Sequence, residues 1–113
     1  VSQGPEGKDI TALKALLDSN PNIWTKVSGA ERLSEEGPPF RDFTPVVRPI
    51  VERYPKRVLW GTDWPHPNME HRIPDDGRLV DVIPEIAVTQ DLQHRLLVDN
   101  PMRLYWPEQG NPL

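Results

Sequence analysis

The sequence predicts an α/β fold, a piece of a parallel sheet with its crossover helices, and three observations carry that prediction. Val58-Leu59-Trp60 is a short apolar run without polar alternation, which suits a strand buried on both faces. The run stops at Gly61-Thr62-Asp63 and passes into Pro65 and Pro67, residues that a sheet interior excludes. Upstream, Ile23 to Gly29 reads as a second strand by its β-branched and aromatic content, and a helical stripe between the two leaves room for a right-handed parallel crossover. Two parallel strands cannot close a barrel or bury both of their faces, so the sequence describes part of a sheet.

Taken in order, residues 1–8 read as loop from their Gly and Pro content. Asp9 is a fair N-cap for a helix striped by Ile10, Leu13, Leu16 and Leu17, which Asn20-Pro21-Asn22 stops. After the first strand, Ala30 to Pro39 reads as a loop. A second helix is expected from about Phe40 to Tyr54, with Phe43, Val46, Val47, Ile50, Val51 and Tyr54 on its apolar face. Thr44 would cap it with Pro45 in the first turn, and Pro49 would remove one backbone bond. Beyond the second strand, Leu79, Val80, Val82, Ile83 and Ile86 suggest a short helix ended by Pro84 or soon after. Thr89 then caps a helix striped by Leu92, Leu96 and Leu97. Asp99-Asn100-Pro101 is expected to turn the chain, Met102, Leu104, Tyr105 and Trp106 to form an apolar docking patch, and residues 107–113 to be a flexible tail.

Composition excludes several functions. The 113 residues suffice for one compact unit. The 13 basic and 17 acidic residues give a net charge of −4 without a basic cluster, which argues against nucleic acid or an anionic membrane as partner. With no cysteine, disulfides and thiolate metal sites are ruled out. No apolar run approaches the roughly 20 residues of a membrane span, and no signal peptide is visible, so a cytoplasmic location is expected. The chain starts at Val1 in a turn-like Ser2-Gln3-Gly4-Pro5-Glu6-Gly7, which reads as the inside of a longer protein.

Asp63 stands out because parallel α/β folds do their chemistry where strands end. It reads as a general base, a metal ligand or a structural cap on the loop that follows. Trp60 and Trp64 nearby would desolvate it and raise its pKa, which suits a base, but spacing alone does not choose between base and cap. His66 invites a metal reading. Zinc needs three or four protein ligands, however, and the 3 histidines form neither HxH nor HExxH; His71 and His94 read as solvated. Arg32, just past the first strand, would lie on the same edge as Asp63. There it would hold a substrate carboxylate or make surface pairs with Glu31, Glu35 or Glu36, and composition favours the latter. Asn68 would bind substrate or close the turn. No GxGxxG, Walker or GxSxG motif supports nucleotide or serine-hydrolase chemistry.

The run from Val58 to Asn68, VLWGTDWPHPN, resembles the eighth strand and following loop of the amidohydrolase superfamily. Ile73-Pro74-Asp75-Asp76-Gly77 and Leu97-Val98-Asp99-Asn100-Pro101-Met102-Arg103-Leu104-Tyr105-Trp106 narrow the resemblance to its 2-pyrone-4,6-dicarboxylate hydrolase (lactonase) family. The resemblance implies a C-terminal fragment of a (β/α)8 TIM-type barrel, strands seven and eight with their helices. It implies hydrolysis of the ring lactone of a pyrone dicarboxylate, a step in aromatic compound degradation. Asp63 would be the general base that activates water, and Arg32 and Asn68 would bind the small dianionic substrate. It further implies that no cofactor is required, a divalent metal at Asp63 being the minor alternative.

The family's first-strand histidine pair, a histidine on strand six and further arginines would all precede Val1. Half a barrel also leaves a sheet edge uncovered. The 113 residues alone are therefore expected to be inactive and to self-associate or fold marginally. A non-catalytic fragment that pairs with itself or a partner is the alternative from another class. A related decarboxylase, hydratase or lactone isomerase is the enzymatic one.

Overall fold

A computed structural model describes residues 4–67, 69 and 73–107. Helix α1 spans Lys8–Ser19 and buries Leu17. It starts one residue before the expected cap: Gly7 is the N-cap and Asp9 lies in the first turn, where its charge suits the helix dipole. Its last turn carries no basic residue. Instead Arg57, from beyond the crossover, donates to the carbonyls of Leu17, Asn20 and Ile23 at 3.1, 2.8 and 3.1 Å. The first is a carbonyl of the last helical turn, which the helix itself leaves unmet, and the others lie in the turn that follows.

Strand β1 is Thr25–Lys26 and β2 is Val58–Leu59, paired in parallel with Thr25 opposite Val58 and Lys26 opposite Leu59. The ladder runs one bond beyond the strands at each end, Thr25 N–H to Arg57 at 3.0 Å and Val27 N–H to Leu59 at 2.7 Å. The parallel pair and its crossover are as the sequence predicts, with β1 shorter than Ile23 to Gly29. The expected loop after it needs correcting. Gly29 takes a left-handed φ of 82°, reversing the chain so that Ala30–Leu33 form a helical turn, α2.

Helix α3, Thr44–Arg53, is the crossover helix and buries Val46, Val47, Ile50 and Val51. It is shorter than Phe40 to Tyr54. Phe40 sits at φ 61°, outside the helical region, and Phe43 rather than Thr44 is the N-cap. Pro49 lies inside the helix without ending it, because the buried face on both sides of it outweighs one lost backbone bond. The single helix expected around Leu79–Ile86 is two, α4 Asp76–Val80 and α5 Ile83–Ile86. Pro84 opens α5 instead of closing its predecessor, in the first turn where a missing N–H is harmless.

Thr89 caps α6, Gln90–His94, its hydroxyl accepting from Leu92 N–H at 3.1 Å. Asp99-Asn100-Pro101 does not turn the chain. A π-helical stretch at Arg95–Asp99 leads straight into α7, Asn100–Tyr105, with Pro101 in its first turn. Of the docking patch, Leu104, Tyr105 and Trp106 remain exposed. Residues 108–113 of the expected tail lie outside the described residues.

One core joins these elements: Leu17 and Val27 from one side, Phe40, Phe43 and the α3 face across the centre, and Leu79, Val82, Ile86, Ala87 and Leu96 from the other. Phe43 and Val58 are fully buried within it. The effect on the site is direct, because the packed α3 fixes the register in which β1 and β2 present their C-terminal ends. No described helix is long and apolar enough to cross a membrane.

Candidate functional site at the strand ends

Arg32 and Asp63 meet where the two strands end. Arg32 follows β1 on α2, Asp63 follows β2, and Arg32 Nε lies 2.9 Å from Asp63 Oδ2. The same guanidinium donates through Nη2 to the carbonyl of Pro67, so one planar fork spans both ends of the turn that carries Asp63. Surface pairing of Arg32 with Glu31, Glu35 or Glu36 does not occur; Asp63 takes it instead. Among the described residues no hydrogen bond falls on Asp63 Oδ1, which leaves that oxygen for a water or substrate.

The turn itself is strained. Asp63 and His66 have φ of 65° and 61°, left-handed values that non-glycine residues rarely adopt. His66 N–H returns to the Asp63 carbonyl at 2.7 Å and closes the turn. Ahead of it, Gly61 leaves room for the Lys26 side chain: a Cβ there would stand 3.2 Å from Lys26 Cε and 3.3 Å from Nζ. The apolar enclosure expected of Asp63 is absent. Trp64 is 73% exposed and the Asp63 side chain keeps 41% of its surface, so its surroundings are set by Arg32 and solvent rather than by indole.

His66, for which the sequence invited a metal reading, is instead buried between two carboxylates. It is 3% exposed, with Nδ1 3.1 Å from Glu31 Oε2 and Nε2 2.8 Å from Asp76 Oδ1. Glu31 is equally buried, at 5%, and turns inward while its neighbour Arg32 reaches the strand edge. Burial pulls the His66 pKa down, the bonds from Asp76 and Glu31 push it up, and the net is upward. The sequence named Glu31 only as a surface partner of Arg32 and Asp76 only within residues 73–77, and gave neither as a partner of His66. The only local hint was a histidine held between two prolines in a stiff loop.

Donor atoms of Glu31, Asp63 and His66 lie within 4.8 Å of one another, the one such cluster among the described residues. Arg32 engages Asp63 Oδ2, and carboxylates engage both nitrogens of His66, while Asp63 Oδ1 and Glu31 Oε1 carry no hydrogen bond among the described residues. A divalent ion there would have to take the imidazole from one of its carboxylate partners. Asn68 and His71 lie outside the described residues. His94 is exposed, as expected, and pairs with Asp99 at 2.9 Å.

The arrangement offers a fixed carboxylate with one open oxygen, beside a guanidinium with five N–H donors of which two are occupied. It can draw a proton from water and hold an anionic group next to it. The family described as Amidohydrolase matches residues 2–106. The 2-pyrone-4,6-dicarboxylate hydrolase of Comamonas testosteroni is 50% identical over 117 residues, 96% of this chain and 38% of that protein. The 4-sulfomuconolactone hydrolase of Hydrogenophaga intermedia is 39% identical over 88% of this chain and 34% of its own length. The D-galactarolactone isomerase of Agrobacterium fabrum is 33% identical over 88% and 35%. An apo crystal structure of an Agrobacterium tumefaciens protein matches with a TM-score of 0.75 and 32% identity, covering 96% of this chain and 38% of that one. The chain thus spans little more than a third of the length of the relatives it matches.

Proposed function

Because the chain belongs to the amidohydrolase family, we propose that it supplies strands seven and eight of a (β/α)8 barrel that hydrolyses the lactone ring of 2-pyrone-4,6-dicarboxylate or a close relative. The observation that carries this reading is the Arg32–Asp63 pair, one member at the C-terminal end of each parallel strand. That edge is where barrels of this class hold their reacting groups. Relatives named for three different lactones support lactone chemistry in general.

Asp63 Oδ1 takes a proton from water, and the resulting hydroxide adds to the lactone carbonyl carbon. The tetrahedral adduct collapses with cleavage of the bond from acyl carbon to ring oxygen. The ring oxygen leaves as an enolate, which takes up the proton held by Asp63 and restores the carboxylate. Arg32 meets a substrate carboxylate through its remaining N–H groups while holding Asp63 in place, and Asn68 adds a polar contact beyond the turn. A local arginine matters because the chain's net charge of −4 would repel a dianion. This route uses no metal.

The test is ring opening of 2-pyrone-4,6-dicarboxylate by the full-length protein, with and without Asp63→Asn. A positioned general base contributes about 10²–10⁴-fold, so the variant is expected to lose that much kcat. Activity untouched by Asp63→Asn removes the reading. Extensive dialysis against a chelator is expected to leave the wild-type rate unchanged. Loss on chelation with recovery on adding zinc or manganese would favour the decarboxylase-type branch.

A further inference from the structure

We propose that His66 is a positioning residue, an imidazolium clamped between Glu31 and Asp76 that holds the Asp63 turn and α2 in reacting register. Two acceptors face its two nitrogens, at 3.1 and 2.8 Å. A neutral imidazole has one N–H, so it satisfies one of them and turns a lone pair toward the other; only the doubly protonated ring donates to both. Among the described residues Glu31 Oε1 has no partner. The bond from His66 Nδ1 to Oε2 is therefore what balances that buried carboxylate.

The three residues come from three places: Glu31 from α2, Asp76 from the first position of α4, and His66 from the turn itself. Glu31 and Arg32 are consecutive on one helical turn, and Asp63 and His66 bracket another. Two cross-links, Glu31–His66 and Arg32–Asp63, thus run side by side between the same two segments. The first is buried, while the second keeps 35% and 41% of its side-chain surface and is free to open for substrate. The buried link sets the distance, and the exposed one does the work.

The charged groups around the ring are Glu31 from α2, Asp76 from α4 and Asp63 on its own turn, the last of these paired with Arg32. They favour the protonated form, in keeping with the upward shift of His66 from 6.5. With a raised pKa, the clamp's contribution is fully present below 6.5 and is lost as pH rises through the folded-state value.

The inference rests on Asp63 as base for its kinetic reading but not for its structural one, so the experiment reads both, on the full-length protein. Nitrogen NMR of the labelled His66 ring is expected to show both nitrogens protonated at pH 7. The double variant Glu31→Gln, Asp76→Asn is expected to bring the titration to 6.5 or below, and with it the high-pH limb of kcat. His66→Gln is expected to lower kcat about 100-fold, the loss that a misplacement of about 1 Å can cause, with KM changed less than threefold. A ring neutral at pH 7, an unmoved high-pH limb in the double variant, or kcat within threefold in His66→Gln overturns the proposal. Should His66→Gln not fold, the double variant decides. If the wild type opens no lactone, the function fails separately, and the Arg32 Nε–H signal then decides for the clamp. Its protection from exchange is expected to vanish in His66→Gln, and persistence sinks the positioning role.

Discussion

Arg32 is oriented by two acceptors on one turn, the Asp63 carboxylate and the Pro67 carbonyl. A lysine presents one compact charge and cannot span both while also meeting a substrate. In the full-length protein Arg32→Lys is expected to raise KM for the dicarboxylate about 10–100-fold, from the loss of one charged hydrogen bond. An unchanged KM would mean that this arginine does not touch the substrate. Behind it, Asp42 accepts from the Ser34 hydroxyl and from Glu35 N–H at 2.7 Å, pinning the loop that leaves α2. The Ser34 bond foremost, then that of Glu35, holds its carboxyl below the ordinary 3.8. A depressed pKa stabilises the fold above that value and the contribution is lost as pH falls through the folded one. The melting temperatures of wild type and Asp42→Asn are thus expected to differ at pH 6 and to converge below pH 3.8; a constant gap would show that the ionised carboxylate contributes nothing. Asp63 was legible because a carboxylate ending an apolar run needs no partner to be noticed. Glu31 was not, since what turns it inward is a histidine 35 residues away.

Helices and strands were readable where one local signal governed them. The α3 stripe and the Thr89 cap held because burial periodicity and capping act within a turn or two, whereas in the α1 stripe Leu16 points outward, 47% exposed, beside Ile10, Leu13 and Leu17 on the core. Prolines misled, because the same residue ends one helix and begins the next: Pro84 and Pro101 both open helices. The passage through Asn100 explains what is gained there. Its side chain is 1% exposed and donates from Nδ2 to the carbonyls of Pro55 and Val58, at 2.8 and 2.9 Å. Arg57 and Leu59 carbonyls face β1, so the Val58 carbonyl faces the opposite edge of β2, where the Asn100 amide meets it. Asn100→Leu keeps the volume but strands both acceptors, at about 1–3 kcal/mol for each buried group left unmet. A drop in urea midpoint clearly larger than that of Thr89→Ala, where a lost cap costs about 1 kcal/mol, is expected. Equal drops would show that water replaces the amide.

The molecule as a whole is an open piece of sheet. Among the described residues no strand lies beyond β2, where Asn100 meets the Val58 carbonyl, and none lies beyond β1. There a largely apolar cleft of about 310 Å³ opens among Ile10, Leu13, Val27, Leu33, Phe43 and Val46. An uncovered edge beside apolar surface invites a strand from elsewhere. In the proposed barrel that strand is the sixth, whose helix is α1, already lining the cleft through Ile10 and Leu13. Produced alone, the 113 residues are therefore expected to self-associate through β1 and to open no lactone, since among the described residues Arg32 is the one arginine bonded to the base. Sedimentation velocity over a concentration series, with the same sample assayed on 2-pyrone-4,6-dicarboxylate, tests both halves of that expectation. A concentration-dependent shift that disappears in the full-length protein supports β1 as the barrel's internal junction. A stable monomer that turns over substrate would mean that Arg32 and Asp63 suffice without the rest of a barrel, and the assignment of β1 as strand seven would fall with it.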